Sequence, residues 1–267
     1  MNIQDIYRII DSFAPFSLQE SYDKSGLLAG DPQKEVHRVL LTLDITTPVV
    51  NEAMARGAEL ILSHHPVIWD PIKALMPSHP VWHLAQSGIG AVCAHTNIDI
   101  AEGGLNDFVG DMMKEPLHLT GPYQPLAVLS QGRALGRVCT LAEPMDAPAL
   151  ADRLRSVFHC GSLRYDSPAP AEQIQKIAWC TGSGCDLIPE AIAAGADALI
   201  SGDAKHSVWA EAKNRGFTLF DCGHFETEVP VVRLFQQILR ESAPQVETLI
   251  SEAGTKPFFV SLPGTES

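Results

Sequence analysis

Two short segments of this chain place a histidine four residues ahead of a carboxylate, His95-Thr96-Asn97-Ile98-Asp99 and His224-Phe225-Glu226-Thr227-Glu228. A third, Ser63-His64-His65-Pro66, sets two imidazoles side by side. Neutral imidazole and carboxylate are ligands for first-row divalent ions such as Zn, Fe, Mn, Ni and Co, and availability decides among them. Pooled, four histidines and two carboxylates exceed what one tetrahedral ion needs. They suit two divalent ions per chain, bridged by carboxylate and water, which make hydroxide near neutral pH and clamp an oxyanion transition state.

Each segment alone is weaker than the set. Adjacent residues on an extended chain point to opposite sides, so His64 and His65 can serve one cluster only if the backbone turns, and Pro66 permits a turn. The stretch from His95 to Asp99 reads as a loop after a strand. Asp99 suits a bridging ligand there, whereas His95 suits a ligand, a donor to a ligand, or a proton carrier. If residues 224–228 are helical, His224 and Glu228 share one face, with Glu228 opposite Asp99. Glu226 then points elsewhere and serves the helix N-terminus. Cys222 is a further candidate ligand, set against the commoner buried thiol.

The surrounding pattern must position these groups. Ile3, Ile6, Tyr7, Ile10 and Phe13 mark a helix over 3–13 that Pro15 stops. Val39 to Leu43, Leu60-Ile61-Leu62 and Ala91-Val92-Cys93 are apolar strands of the kind buried on both faces. Between them, Thr47 as N-cap, Pro48 and Gly57 bound one helix, and Pro80 to Gln86, closed by Gly88, forms another. Strands alternating with helices at this spacing mean a parallel sheet.

The pattern then recurs. Glu52 to Ser63 aligns with Glu190 to Ser201, with six of twelve positions identical. Each copy continues into a helix ending in Gly (Gly88, Gly216), then a strand, then His-x-x-x-carboxylate. The polar residues fall just past strand C-termini, where open α/β sheets bind ligands. The fold class is therefore α/β, two related halves with mostly parallel strands. The expected division is a first half over 1–124, a small inserted lobe and linker over 125–175, and a second half over 176–267. The lobe holds strands at 136–141 and 162–165, a helix at 147–157 and a Ser-Pro-Ala-Pro-Ala linker at 167–171. After Glu228 comes a final helix, and 247–260 reads as a strand with an ordered end.

Composition excludes several classes. The chain has 267 residues, 19 Lys+Arg against 32 Asp+Glu, and a net charge of −13. Bulk nucleic-acid binding, which needs a basic face, is not expected. No signal peptide or membrane-spanning run is legible, so a cytoplasmic protein is expected. The six cysteines contain no C-x-x-C pair and read as reduced thiols, with Cys180 and Cys185 a weaker redox candidate. Gly182-Ser183-Gly184 after a strand is a candidate phosphate-cradling turn. No P-loop or G-x-S-x-G elbow is present.

In order and combination, five segments resemble one family over nearly the whole chain. They are Tyr22-Asp23-Lys24-Ser25-Gly26-Leu27-Leu28-Ala29-Gly30, Ser63 to Pro66, His95 to Asp99, Ser201-Gly202-Asp203-Ala204-Lys205-His206 and Gly223 to Glu228. The resemblance is to the Nif-three-like proteins, also called GTP cyclohydrolase 1 type 2 homologues. It implies a dinuclear metal site with ligands at His64, His65, Asp99, His224 and Glu228, and a toroidal homohexamer with the sites facing an inner cavity. His95 matches a family histidine and is the candidate proton carrier. The family's usual Trp-Asp-Asn-x-Gly is here Tyr22-Asp23-Lys24-Ser25-Gly26, a departure that touches packing near the site. The implied activity is metal-dependent hydrolysis of a small molecule, in the most concrete form the opening of the guanine ring of GTP with loss of formate. Phosphoester or amide hydrolysis on another substrate is an alternative, as is a non-catalytic metal-binding assembly acting through partners.

Overall fold

The computed structural model describes residues 1–128, 134–169 and 171–259. Positions 129–133 of the expected lobe, 170 of the expected linker and 260 at the end of the expected tail lie outside the described residues. In chain order the elements are α1 (Ile3–Phe13), β1 (Gly26–Ala29), β2 (Arg38–Thr42), α2 (Thr47–Arg56), β3 (Leu60–Ser63), α3 (Pro80–Ser87), β4 (Gly90–Cys93), α4 (Thr96–Ile100) and α5 (Leu105–Lys114). There follow β5 (Leu119–Val128), β6 (Ala134–Met145), α6 (Ala147–Phe158), β7 (Arg164–Asp166), β8 (Ile174–Trp179), α7 (Ile188–Ala193), β9 (Ala198–Ser201), α8 (His206–Arg215), β10 (Thr218–Asp221), α9 (His224–Glu228), α10 (Val231–Ser242) and β11 (Glu247–Ile250). Among the described residues no helix is long and apolar enough to cross a membrane.

The chain divides into two compact units. The first comprises Met1–Val109, Val128–Gly136 and Glu228–Gly254. Its five-stranded sheet has the order β1-β4-β3-β2-β11. β4, β3, β2 and β11 run parallel, and β1 is antiparallel to β4. β2, β3 and β4 read as nearly unbroken apolar runs because both faces are covered, whereas β11 at the edge is largely exposed. Leu40, Ile61 and Ala91 pack against Val49, Val50 and Ala53 of α2 and Leu84 of α3. α2 starts one residue earlier than Thr47-as-cap would give. Thr46 is the N-cap, its hydroxyl accepting from the Val49 amide, and Gly57 closes the helix in the left-handed region.

The last strand belongs to this sheet although it lies some 200 residues downstream of its partner. Glu52 of α2 fixes the chain just beyond it, accepting from the Glu252 and Ala253 amides (3.0 Å each) and from the Ser251 hydroxyl (2.6 Å). Burial alone would raise the Glu52 pKa, but these bonds and Arg56 outweigh it and hold it at about 2.

The second unit comprises Gly110–Ala127, Arg137–Thr227 and Thr255–Ser267. Its six-stranded sheet has the order β5-β6-β8-β9-β10-β7. β8, β9 and β10 run parallel, flanked by antiparallel β6 and β7. Ala178, Leu199 and Leu219 from the parallel strands pack with Ile188, Ala191, Val208 and Ala212 from the helices.

The internal repeat extends to single hydrogen bonds. At the end of β3 the His64 amide donates to Thr42 and the Ala94 amide to Ser63. At the end of β9 the Gly202 amide donates to Gly182 and the Cys222 amide to Ser201. This register pairs Ala94 with Cys222, so His95 corresponds to Gly223 and His224 falls one residue later. The two His-x-x-x-carboxylate segments therefore sit at the same strand ends but one position out of step.

Candidate metal centre

In the first unit the parallel strands deliver polar groups at their C-terminal ends. β2 leads to Asp44, β3 to His64 and His65, and β4 to His95. His64, His65 and His95 each bring one ring nitrogen to within 4.8 Å of the others. The His64 and His65 rings are 5.1 Å apart, so the backbone does turn after Ser63. The Ser63 hydroxyl donates to the His65 carbonyl at 2.9 Å and holds that turn.

His64 is fully buried. Its Nδ1 lies 3.0 Å from the Ala94 carbonyl. A carbonyl only accepts, so the proton sits on Nδ1 and the Nε2 lone pair faces inward. Nε2 lies 3.6 Å from Glu228 Oε1 and 3.7 Å from Asp99 Oδ1, and has no hydrogen-bond partner among the described residues. Burial pushes the His64 pKa down, leaving the neutral ring that a metal requires.

His65 is held from both ends, with Nδ1 2.8 Å from Asp44 Oδ1 and Nε2 2.9 Å from Glu228 Oε2. Burial opposes its charged form, but the two carboxylates outweigh burial and push its pKa up to about 10. Glu228 itself is buried, as is Asp99.

His95 is the N-cap residue of α4, so the segment to Asp99 is a helical turn rather than the expected loop. The buried carboxylate of Asp23 sets its ring, 2.8 Å from His95 Nδ1. Asp23 also accepts from the Thr96 amide (2.9 Å), the Thr96 hydroxyl and the Ser25 hydroxyl (3.0 Å). Burial would raise the Asp23 pKa, yet the bonds from His95 and Thr96 hold it well below the usual carboxylate range. Tyr22 and Lys24-Ser25 thus leave this carboxylate in place, and Ser25 adds a bond to it and another to the His95 amide. Trp69 stands edge-on to the His95 ring, centroids 5.2 Å apart.

His224 opens α9 and Glu228 closes it, one turn later. His224 Nδ1 is 2.8 Å from Asp203 Oδ2. Glu226 points elsewhere, but it pairs with Lys256, a partner the expected helix N-terminal role did not include. Cys222 is buried and its pKa raised well above the ordinary thiol value by burial.

Two expected alternatives are not built. Cys180 and Cys185 are buried thiols with no disulfide between them. The Gly182 and Gly184 amides donate to the Thr227 and Ser201 hydroxyls, so neither amide is directed at a phosphate. Three positioning residues were missed: Asp23, Asp44 and Asp203 each hold the Nδ1 of one histidine. Two had a signal, since Asp23 lies in the segment 22–30 and Asp203 is the repeat counterpart of His65. Asp44, two residues past a strand end, lay in the same kind of position as the histidines and could have been found there.

A family model described as Duf34/NIF3 (NGG1p interacting factor 3) matches residues 1–257. A Clostridium perfringens protein named GTP cyclohydrolase 1 type 2 homolog is 32% identical over 97% of this chain and 99% of its own. A Lactococcus lactis protein of the same name is 34% identical over 97% and 99%. The crystal structure of a Staphylococcus aureus hypothetical protein superposes with a TM-score of 0.88 at 26% identity, covering 98% of this chain and 99% of that one.

Proposed function

This chain belongs to the Duf34/NIF3 family, and from that premise we propose that it is a metal-dependent hydrolase whose ligands are His64, His65, Asp99, His224 and Glu228. The observation that carries the reading is the fully buried His64 Nε2, a lone pair aimed at carboxylate oxygens of Asp99 and Glu228 with no hydrogen to join them. Such an arrangement is repulsive unless a proton or a metal cation lies among the three groups, and the downward shift of the His64 pKa favours the metal. The donor set of imidazole and carboxylate fits Zn, Fe, Mn, Ni or Co, and its size suits two ions.

When bound, the ions supply Lewis acidity and an activated water. The chain's own residues do the rest. Carbonyl or carboxylate acceptors on the Nδ1 atoms of His64, His65 and His224 fix ring orientation and direct Nε2 to the ligand side. His95, set by Asp23, moves a proton between its Nε2 and the reacting group. The names of the relatives motivate GTP as substrate, with ring opening and loss of formate, and a homohexamer is the proposed assembly.

Incubation of the metal-loaded protein with GTP, read for formate and for the ring-opened product, tests the substrate. Turnover lost in His95→Gln with metal retained supports the reading. Absence of turnover in fully loaded protein rejects GTP, and a panel of phosphoesters and amides then tests hydrolysis as a class.

A further inference from the structure

In the first unit, α10 presents two different faces. Val231, Val232, Leu234, Phe235, Ile238 and Leu239 are buried. The other face carries Arg233, Gln236, Gln237 and Arg240, which line a cavity of about 440 Å³ together with Phe108, Glu241 and Ile250. Arginines on a solvated helix face gain from carboxylates three or four residues away. Here those positions hold Gln236 and Gln237. Arg233 and Arg240 form no ion pair among the described residues, in a chain where acids outnumber bases 32 to 19. The one acid at the cavity, Glu241, accepts from the Gln237 amide at 3.1 Å.

The spacing defines what can bind. Positions seven apart on a helix lie on nearly the same side and about 10 Å apart along the axis. Both long side chains leave the same side of the helix, so their guanidinium forks can converge on neighbouring phosphates of one chain, each fork binding a phosphate bidentately. The half-buried ring of Phe108 and the exposed Ile250 give the cavity an apolar wall, and the two glutamine amides give it donors and acceptors. We propose that this cavity is a second binding site, independent of the histidine cluster, for a nucleoside diphosphate or triphosphate. Arg233 and Arg240 hold the phosphates, Phe108 packs on the base, and the Gln236 amide reads the base edge.

Calorimetric titration of the full-length protein, stripped of metal and in magnesium-free buffer, tests this with GDP, ADP, pyrophosphate and guanosine. GDP or ADP is expected to bind, pyrophosphate more weakly and guanosine weakest. R233Q and R240Q each weaken nucleotide binding about tenfold, the scale of one charge-assisted contact. F108L weakens the nucleotides but leaves pyrophosphate unchanged. E228Q leaves nucleotide binding unchanged, which separates this site from the hydrolase reading. Circular dichroism checks that each variant is folded. Nucleotide binding that ignores both arginines, or that is lost only in E228Q, overturns the proposal. So does equal affinity for pyrophosphate and GDP. A change of oligomeric state in R233Q or R240Q without loss of nucleotide binding assigns the face to a second copy of the chain and also overturns it.

Discussion

The loops after β3 and β9 occupy the same place in two copies of one βαβ pattern, yet they do different chemistry. After β3 come His64 and His65, two imidazoles turned to one cluster. After β9 come Gly202 and Asp203. A Cβ on Gly202 would lie 2.8 Å from the His224 Cα and closer still to its amide nitrogen, so the first of these positions has no room for a side chain. Asp203 then adopts φ +56° and holds His224 Nδ1. In the proposed site the first copy supplies ligands from this loop, and the second uses it to position a ligand carried by the next loop. Duplication supplies two equivalent strand ends, and the packing at each decides which polar group it can present.

Altering the two loops should give unequal losses. His64→Ala removes a fully buried ring and a proposed ligand. We expect the largest effect there, a loss of about 2–4 kcal/mol of stability in chemical denaturation together with most of the bound metal. Gly202→Ala forces the His224 backbone away. Its expected cost is about 1–3 kcal/mol, with metal content reduced, and full retention of both would break the close-approach explanation.

The carboxylates behind the rings come next. Asp44→Asn and Asp203→Asn should each weaken metal binding about 10–100-fold with the fold intact, as loss of a ligand-orienting group does. Asp23→Asn should instead leave metal content unchanged and lower turnover, because His95 is proposed as a proton carrier rather than a ligand. Metal loss in Asp23→Asn would move His95 into the ligand set.

The metal-free protein should also titrate unusually. The His65 pKa is about 10 against an ordinary 6.5, raised by Asp44 and Glu228. A folded value above the unfolded one means this pair stabilises the metal-free fold fully below about pH 6.5 and loses that contribution as pH rises through 10. A ligand histidine must shed this proton, so metal affinity should rise as pH goes from 7 to 9, with proton uptake by the buffer visible in calorimetry. A pH-independent affinity would contradict this.

The smallest expected effect compares Glu52 with its repeat counterpart Glu190. Glu52 accepts two amides and a hydroxyl, whereas one Glu190 oxygen is buried with no hydrogen-bond partner among the described residues. Glu52→Gln should cost about 1–2 kcal/mol and Glu190→Gln close to nothing. The Glu52 pKa is depressed, so its contribution is present above about pH 4.5 and lost as pH falls toward 2.

Much of this was legible in the sequence for a physical reason. Strands buried on both faces are unbroken apolar runs, and helices between them carry Gly at their ends, so β2, β3, β4 and α2 could be placed within a residue or two. What escaped depends on contacts far apart in the chain. β1 and β11 join the first sheet through partners that local pattern does not encode. The helical turn after His95 is short and apolar-polar mixed, with no side-chain cap to announce it. Six site positions could be named because their residue types are ligands. The aspartates behind them could be noticed by position, but their orienting role could not be assigned, because it exists only once the ring it orients has been placed.

Elemental analysis of the purified protein against Glu228→Ala, each loaded with the same divalent ion and checked for native fold, measures the central claim directly. The expected result is about two ions per chain, falling to one or none in the variant, since Glu228 approaches both His64 and His65. Equal metal content in the two proteins would contradict a metal centre built on these residues.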